Sequence, residues 1–193
     1  MSTRTVTINR APVLALWATV VAERLGFSRD EALSLGKAVT GLNAQSKGQR
    51  LGIYTKREER GGRREEEKRK IEERTGGKLD AVELMGREIP VVRTPAGVRA
   101  LNKDTEVSPA STQTYLESKF GEHLAAVRAA MEELARSMKP DVLAARAFAL
   151  YAQFRPQIPD GVKGWGAKGN LDLKTVRSLA NPAGISMERS EHQ

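Results

Sequence analysis

Few side chains in this sequence are equipped for chemistry. It contains two histidines, His123 and His192, and no cysteine, which excludes disulfides, thiolate metal ligands and cysteine nucleophiles. A Ser-His-Asp triad would have to use His123, and no Gly-x-Ser-x-Gly elbow accompanies it. No second ligand lies four residues from His123, so no zinc site is expected on that segment. The acid pair Glu132-Glu133 falls in a charge-balanced stretch and reads as solvated. These residue types predict a non-enzymatic protein with no metal and no cofactor.

One loop has the spacing of a phosphate-binding motif. Gly164, Gly166 and Gly169 form a Gly-x-Gly-x-x-Gly, but dinucleotide loops follow a strand and open a helix within a βαβ unit. Here a helix and a Pro-rich segment come first, and cofactor binding is not expected. Two readings of the loop remain. Trp165, between Lys163 and Lys168, is suited to stack on a base as a secondary nucleic-acid contact. Equally, Trp165 fills the core while the glycines permit sharp turns.

The remaining chemical signal is charge. The net charge is +8, and the first 50 residues carry seven Lys/Arg against three Asp/Glu, so half of the excess sits in the first quarter of the chain. A basic surface attracts polyanions without implying sequence reading. The polar cluster Asn43, Gln45, Ser46, Lys47, Gln49 and Arg50, with Arg4 and Arg10, is the expected polyanion surface. As local structure it is an ordinary helix end, where cations complement the dipole.

The elements that must position these groups are mainly α. Aromatics are only 5%, so the core is built from Leu, Val and Ala, which suits helix packing. No window approaches the roughly 18 apolar residues of a membrane span, and "PVLALWATVVA" lacks a signal-peptide cleavage site. A cytoplasmic protein with no membrane partner is expected. "RTVTI" (4–8) alternates like a short strand. Leu14, Trp17, Val21 and Leu25 define a helix over about 12–25; Ala32, Leu35, Val39 and Leu42 define a second over about 29–46. Together, 1–55 form an N-terminal unit.

Residues 56–77 are a mixed-charge linker or helix with Ile71 as the only apolar residue of its charged run, so it should bury almost nothing. Residues 78–110 hold a small central β-hairpin around Gly86-Arg87 over 81–92, with a third short strand after it. From Tyr115, Phe120, Leu124, Val127, Met131, Leu134 and Met138 follow a heptad spacing. A second helix over about 140–154 would complete a C-terminal α-helical hairpin within 111–181, together with the Gly/Trp loop and a short closing helix. The seam of 115–154 also suits a homodimer or another protein partner. Residues 182–193 form a frayed tail.

The N-terminal unit carries the one resemblance. In "VVAERLGFSRDEALSLGKAV", Ala22 lies in the first helix, Gly26 at the turn, and Ala32 and Leu35 on the inward face of the second. Over about residues 18–37 this is similar to the helix-turn-helix class of bacterial DNA-binding proteins. The resemblance implies that the second helix enters the major groove, with Ser28, Arg29, Asp30, Leu33, Ser34 and Lys37 outward and Arg29 and Lys37 suited to guanine edges or phosphate. Asp30 and Glu31 oppose phosphate there, and a Ser28–Glu31 capping box explains them locally. The sequence therefore predicts a nucleic-acid-binding protein (DNA rather than RNA), a transcriptional regulator or nucleoid-associated factor, contacting its target through Arg29, Lys37, Asn43, Gln45, Lys47, Gln49 and Arg50. The alternative is a non-enzymatic interaction or scaffold module built on the C-terminal helical hairpin.

Overall fold

The helix that begins at Arg10 is apolar on every side, and a helix of that kind has to be covered on every side. In the computed structural model, which describes residues 5–50, 64–162 and 167–181 (backbone alone at 45–50 and 64), this is α1, Arg10–Arg24. Every residue from Pro12 to Ala22 is buried. Around it are assembled α2 (Arg29–Arg50), α4 (Pro109–Phe120), α5 (Leu124–Arg136) and α6 (Pro140–Phe154). The fold is helix-rich with antiparallel β-structure, and no described helix is long and apolar enough to cross a membrane.

The corner between α1 and α2 forms where the sequence placed it. Gly26 turns the chain with φ +109°, and the Ser28–Glu31 box closes reciprocally. The Glu31 amide donates to Ser28 Oγ (3.2 Å) and the Ser28 amide to Glu31 Oε1 (2.9 Å). Beyond the corner the two helices stay together. Gly36 sits so close to α1 that a Cβ there would lie 2.7 Å from the Ala15 carbonyl oxygen and 2.9 Å from the Thr19 nitrogen. Contact this far from the turn makes α1 and α2 an antiparallel helical hairpin, not a steeply crossed pair.

The central hairpin is part of a larger sheet. Strands β2 (Lys78–Leu84), β3 (Arg87–Thr94), β4 (Gly97–Asn102) and β5 (Thr105–Glu106) form an antiparallel meander in that order. The first turn is at Met85-Gly86, one residue earlier than expected, with Leu84 paired to Arg87. One face of the sheet, including Val82, Ile89, Val91, Val98 and Ala100, joins the main core against α2. The other face is covered by α3 (Arg64–Thr75), where Ile71 is 8% exposed and packs with Val92, Leu101 and Leu79. The charged segment thus buries its single apolar residue after all, because Ile71 faces the sheet, beside Glu72, whose carboxylate accepts the Leu79 amide (3.1 Å).

The heptad pattern does not form one helix. It starts six residues before Tyr115, where Ser108 caps α4 by accepting the Ser111 amide and Pro109 takes the first turn. It breaks at Gly121 into a 3-10 turn, Gly121–His123, before α5. Phe120, Val127, Met131 and Leu134 are buried within this chain. Helices α5 and α6 both pack on α1 and on α7 (Leu173–Ala180), so the expected C-terminal hairpin is replaced by two helices flanking a common central one.

The first and last described strands pair with each other. Strand β1 (Thr5–Asn9) pairs antiparallel with β6 (Lys168–Asp172), from Thr5↔Asp172 to Asn9↔Lys168. The end of the expected Gly-rich loop is therefore a strand. Val6 and Ile8 of β1 and Leu171 of β6 join the same core as α1.

Candidate nucleic-acid interface

The leading end of α2 is held by side chains that bond sideways to a strand. Strand β4 has β3 on one side, and on the other its amides at Val98 and Ala100 need acceptors. Glu31 Oε2 accepts the Val98 amide (2.8 Å), and Ser34 Oγ accepts the Ala100 amide (2.8 Å) while donating to the Val107 carbonyl (2.7 Å). Glu31 and Ser34, three residues apart on one helix face, do the work of a neighbouring strand. Two backbone amides, Val98 first and Ser28 next, hold the Glu31 carboxyl below its ordinary range.

This docking corrects the outward assignment of α2. Leu33 is 3% exposed and Ser34 fully buried, and Lys37 is half-buried, because β4 and α4 occupy the side on which a groove-reading helix would need open space. Only Arg29 and Asp30 of the predicted reading residues stay exposed beside Ser28. The carboxylate of Glu31 is committed to β4, which leaves Asp30 as the acid at this end.

Where α2 and α4 begin, the structure opens a cavity of about 410 Å³. It is lined by Arg29, Asp30 and Leu33 of α2, Arg99 of β4, and Ser108, Pro109, Ala110 and Gln113 at the start of α4. Two helix N-termini thus face one space, each presenting the positive end of its dipole. Arg99 donates to the Val98 carbonyl (2.9 Å), while Arg29 is exposed.

Further along the same α2–α4 seam, Lys37 Nζ lies 3.9 Å from the centre of the Tyr115 ring. Burial first, and the neighbouring Lys119 second, push the Lys37 ammonium below its usual range. Among the described residues, none of Arg29, Arg99, Lys37 and Lys119 forms an ion pair. Arg29 and Lys37 are eight residues apart, about 12 Å along the helix axis.

The structure therefore separates the residues that the sequence grouped. Arg29 and Lys37 share the α4 seam. Asn43 lies at the other end of α2, half-buried, accepting from Arg87 Nη2 (3.4 Å) at the start of β3. Gln45, Lys47, Gln49 and Arg50 fall in the last turns of α2, and their side chains lie outside the described residues. Lys163 and Trp165 also lie outside them, while Lys168 is exposed on β6 opposite Asn9. Sequence reasoning missed Arg99, Gln113, Tyr115 and Lys119. The Ser108-Pro109 cap could have exposed three of them, since it starts α4 at the right place and sets its phase against α2.

No protein-family model matches this chain, and neither a characterised protein nor a solved structure is significantly similar to it.

Proposed function

We propose that the protein binds nucleic acid through the α2–α4 seam, with Arg29, Arg99, Lys37 and Lys119 meeting backbone phosphates. The observation carrying this reading is that four cations from three elements lie along one seam and none of them forms a salt bridge among the described residues, with Asp30 and the Glu31 carboxylate as the acids nearby. A half-buried lysine beside another cation is costly to keep charged, and a phosphate on the seam would offset that cost. The positive ends of two helix dipoles at the cavity favour an anion there. The helix-turn-helix resemblance adds nothing to this reading, since α1 and α2 pack as an antiparallel hairpin and the face that would enter a groove is packed on β4. The ligand is accordingly held by its backbone, with DNA preferred to RNA and a nucleoid-associated role preferred to sequence-specific regulation. The scaffold reading keeps only part of its expected surface, because Phe120, Val127, Met131 and Leu134 of the heptad are buried inside the chain while one face of α6 stays exposed.

The test is fluorescence anisotropy with labelled duplex and single-stranded DNA across a salt series. Affinity should fall steeply with salt. The double variant Arg29→Gln/Arg99→Gln should weaken binding and make the log–log salt slope shallower by about two, one for each phosphate contact removed. Charge reversal at Lys47 and Arg50 examines the polar end of α2 on the same footing. No binding at low salt sinks the reading; binding lost only with the Lys47/Arg50 change moves the site to that end.

A further inference from the structure

Among the described helices, two are apolar nearly all the way round, and only one of them is covered. Helix α1 is enclosed on every side. Helix α6 buries Leu143, Ala147, Leu150, Tyr151 and Phe154 against α1 and α7, yet its opposite face carries Val142, Ala145, Phe148, Ala149 and Ala152, all exposed. Val142 is 40% and Phe148 43% exposed, two of the three large apolar side chains left open among the described residues. From Val142 to Phe154 the only charged residue is Arg146, and its guanidinium turns toward Met138 Sδ (3.9 Å), at the edge of the stripe.

We infer that this face of α6 pairs with α6 of a second copy of the chain, antiparallel about a two-fold axis between Phe148 and Ala149. The self-complementarity of the face selects the partner. A two-fold axis at that point sets Ala145 against Ala152 of the partner copy, so two small residues let the helices approach closely. It sets Phe148 against Ala149, a large side chain over a small one. It also brings Asp141 within one residue of Arg155, so the acid at each helix start meets the cation at the other helix's end. Both Asp141 and Arg155 are exposed and without an ion pair among the described residues. An isologous contact needs one patch that fits itself, and a heterologous partner would have no reason to mirror the charges about the stripe's centre. Antiparallel helices also align their dipoles favourably. Of the heptad seam that the sequence offered for dimerisation, Phe120, Val127, Met131 and Leu134 are buried; the association surface lies on the exposed face of α6.

Association of this kind is independent of any nucleic-acid binding, and is tested without DNA on the full chain. Sedimentation equilibrium over a wide protein concentration range should show a reversible monomer–dimer equilibrium. Phe148→Glu should weaken it by roughly tenfold or more, since the substitution places two like charges against each other at the axis. Because Phe148 is exposed, the far-UV circular dichroism of this variant should match the parent. The charge swap gives a second readout. Asp141→Arg alone and Arg155→Asp alone should each weaken the dimer, and the double variant should restore it. A chain that stays monomeric throughout overturns the inference, as does a dimer indifferent to Phe148→Glu or a double swap no better than its single parents.

Discussion

Glu31 accepts the backbone amide of Val98 at 2.8 Å, a bond between the first turn of α2 and the edge of β4, 67 residues further along the chain. The same carboxylate accepts the Ser28 amide, so one side chain caps its own helix and docks the sheet.

The acid response of the protein follows from this carboxylate. Its folded-state pKa lies below the ordinary value, so the stability it contributes is fully present above about pH 4.3 and is lost as pH falls through the folded value. Glu31→Gln keeps the shape and one acceptor while removing the charge, and should cost about 1–2 kcal/mol at pH 7. The gap between parent and variant should close as the pH falls below about 4. Urea unfolding at successive pH values measures this directly; a gap that persists in acid would mean that the charge is not what holds Val98.

Gly36 tests the antiparallel packing of α1 on α2. Helix propensity alone favours Gly36→Ala by about 1 kcal/mol. The added methyl, however, would overlap the Ala15 carbonyl and the Thr19 backbone, which cannot retreat without moving α1. Overpacking of this kind costs about 1–3 kcal/mol, so the variant should be the less stable protein, seen as a lower urea midpoint at unchanged slope. A stabilised variant would show that the helices stand further apart.

What the sequence revealed was local. The turn at Gly26, the Ser28–Glu31 box, the first turn of α6 at Pro140 and the closing helix are fixed by neighbouring residues, and all were legible. The Asp172 cap of α7, which accepts the Lys174 amide, belongs with them. The pairing of β1 with β6 joins two strands far apart in the sequence and leaves no local trace. The face of α2 was misread for the same reason. Nothing near Ser34 announces that Ala100 and Val107 will meet its hydroxyl, so a polar residue on a basic helix passed for an exposed one. The heptad misled because its apolar spacing runs on through Gly121, while periodicity cannot say whether the seam finds its partner in α6, in α1 or in another chain. At the candidate site, Arg29 and Lys37 were named through the helix-turn-helix resemblance, and Arg99 and Lys119 were not, since only tertiary packing brings them to α2.

Trp17 joins the first helix to the last third of the chain. Its indole N–H donates to the Ala147 carbonyl (2.9 Å), and its ring meets Phe154 edge-on at 5.3 Å. The core that contains it takes in residues from Val6 to Val176, so the elements that contribute to it should unfold as one cooperative unit. Trp17→Phe loses the bond and part of the ring volume, and should cost about 2 kcal/mol. Circular dichroism and a probe attached near α2 should report the same lowered midpoint. Two separated transitions, with only the second sensitive to Trp17, would show that the sheet and α2 fold apart from the C-terminal helices.

Lys37 should separate binding from stability. Burial and Lys119 depress its folded-state pKa, so the charged form is disfavoured on folding, and stability rises with pH through that folded value as the ammonium loses its proton. Lys37→Met keeps the aliphatic stem over Tyr115 and removes the charge. The lost cation–π contact is worth about 0.5–1 kcal/mol and is opposed by relief of the desolvation cost. The variant should therefore be as stable as the parent, or more stable by up to about 1 kcal/mol, and its advantage should shrink in alkali, where the parent lysine is neutral. In the anisotropy assay the same variant should bind DNA more weakly, with a salt slope shallower by about one. Thermal unfolding and the salt series on one preparation decide it. A residue kept for packing would lose stability on substitution and leave the slope alone, whereas one kept for phosphate moves the two measurements in opposite directions.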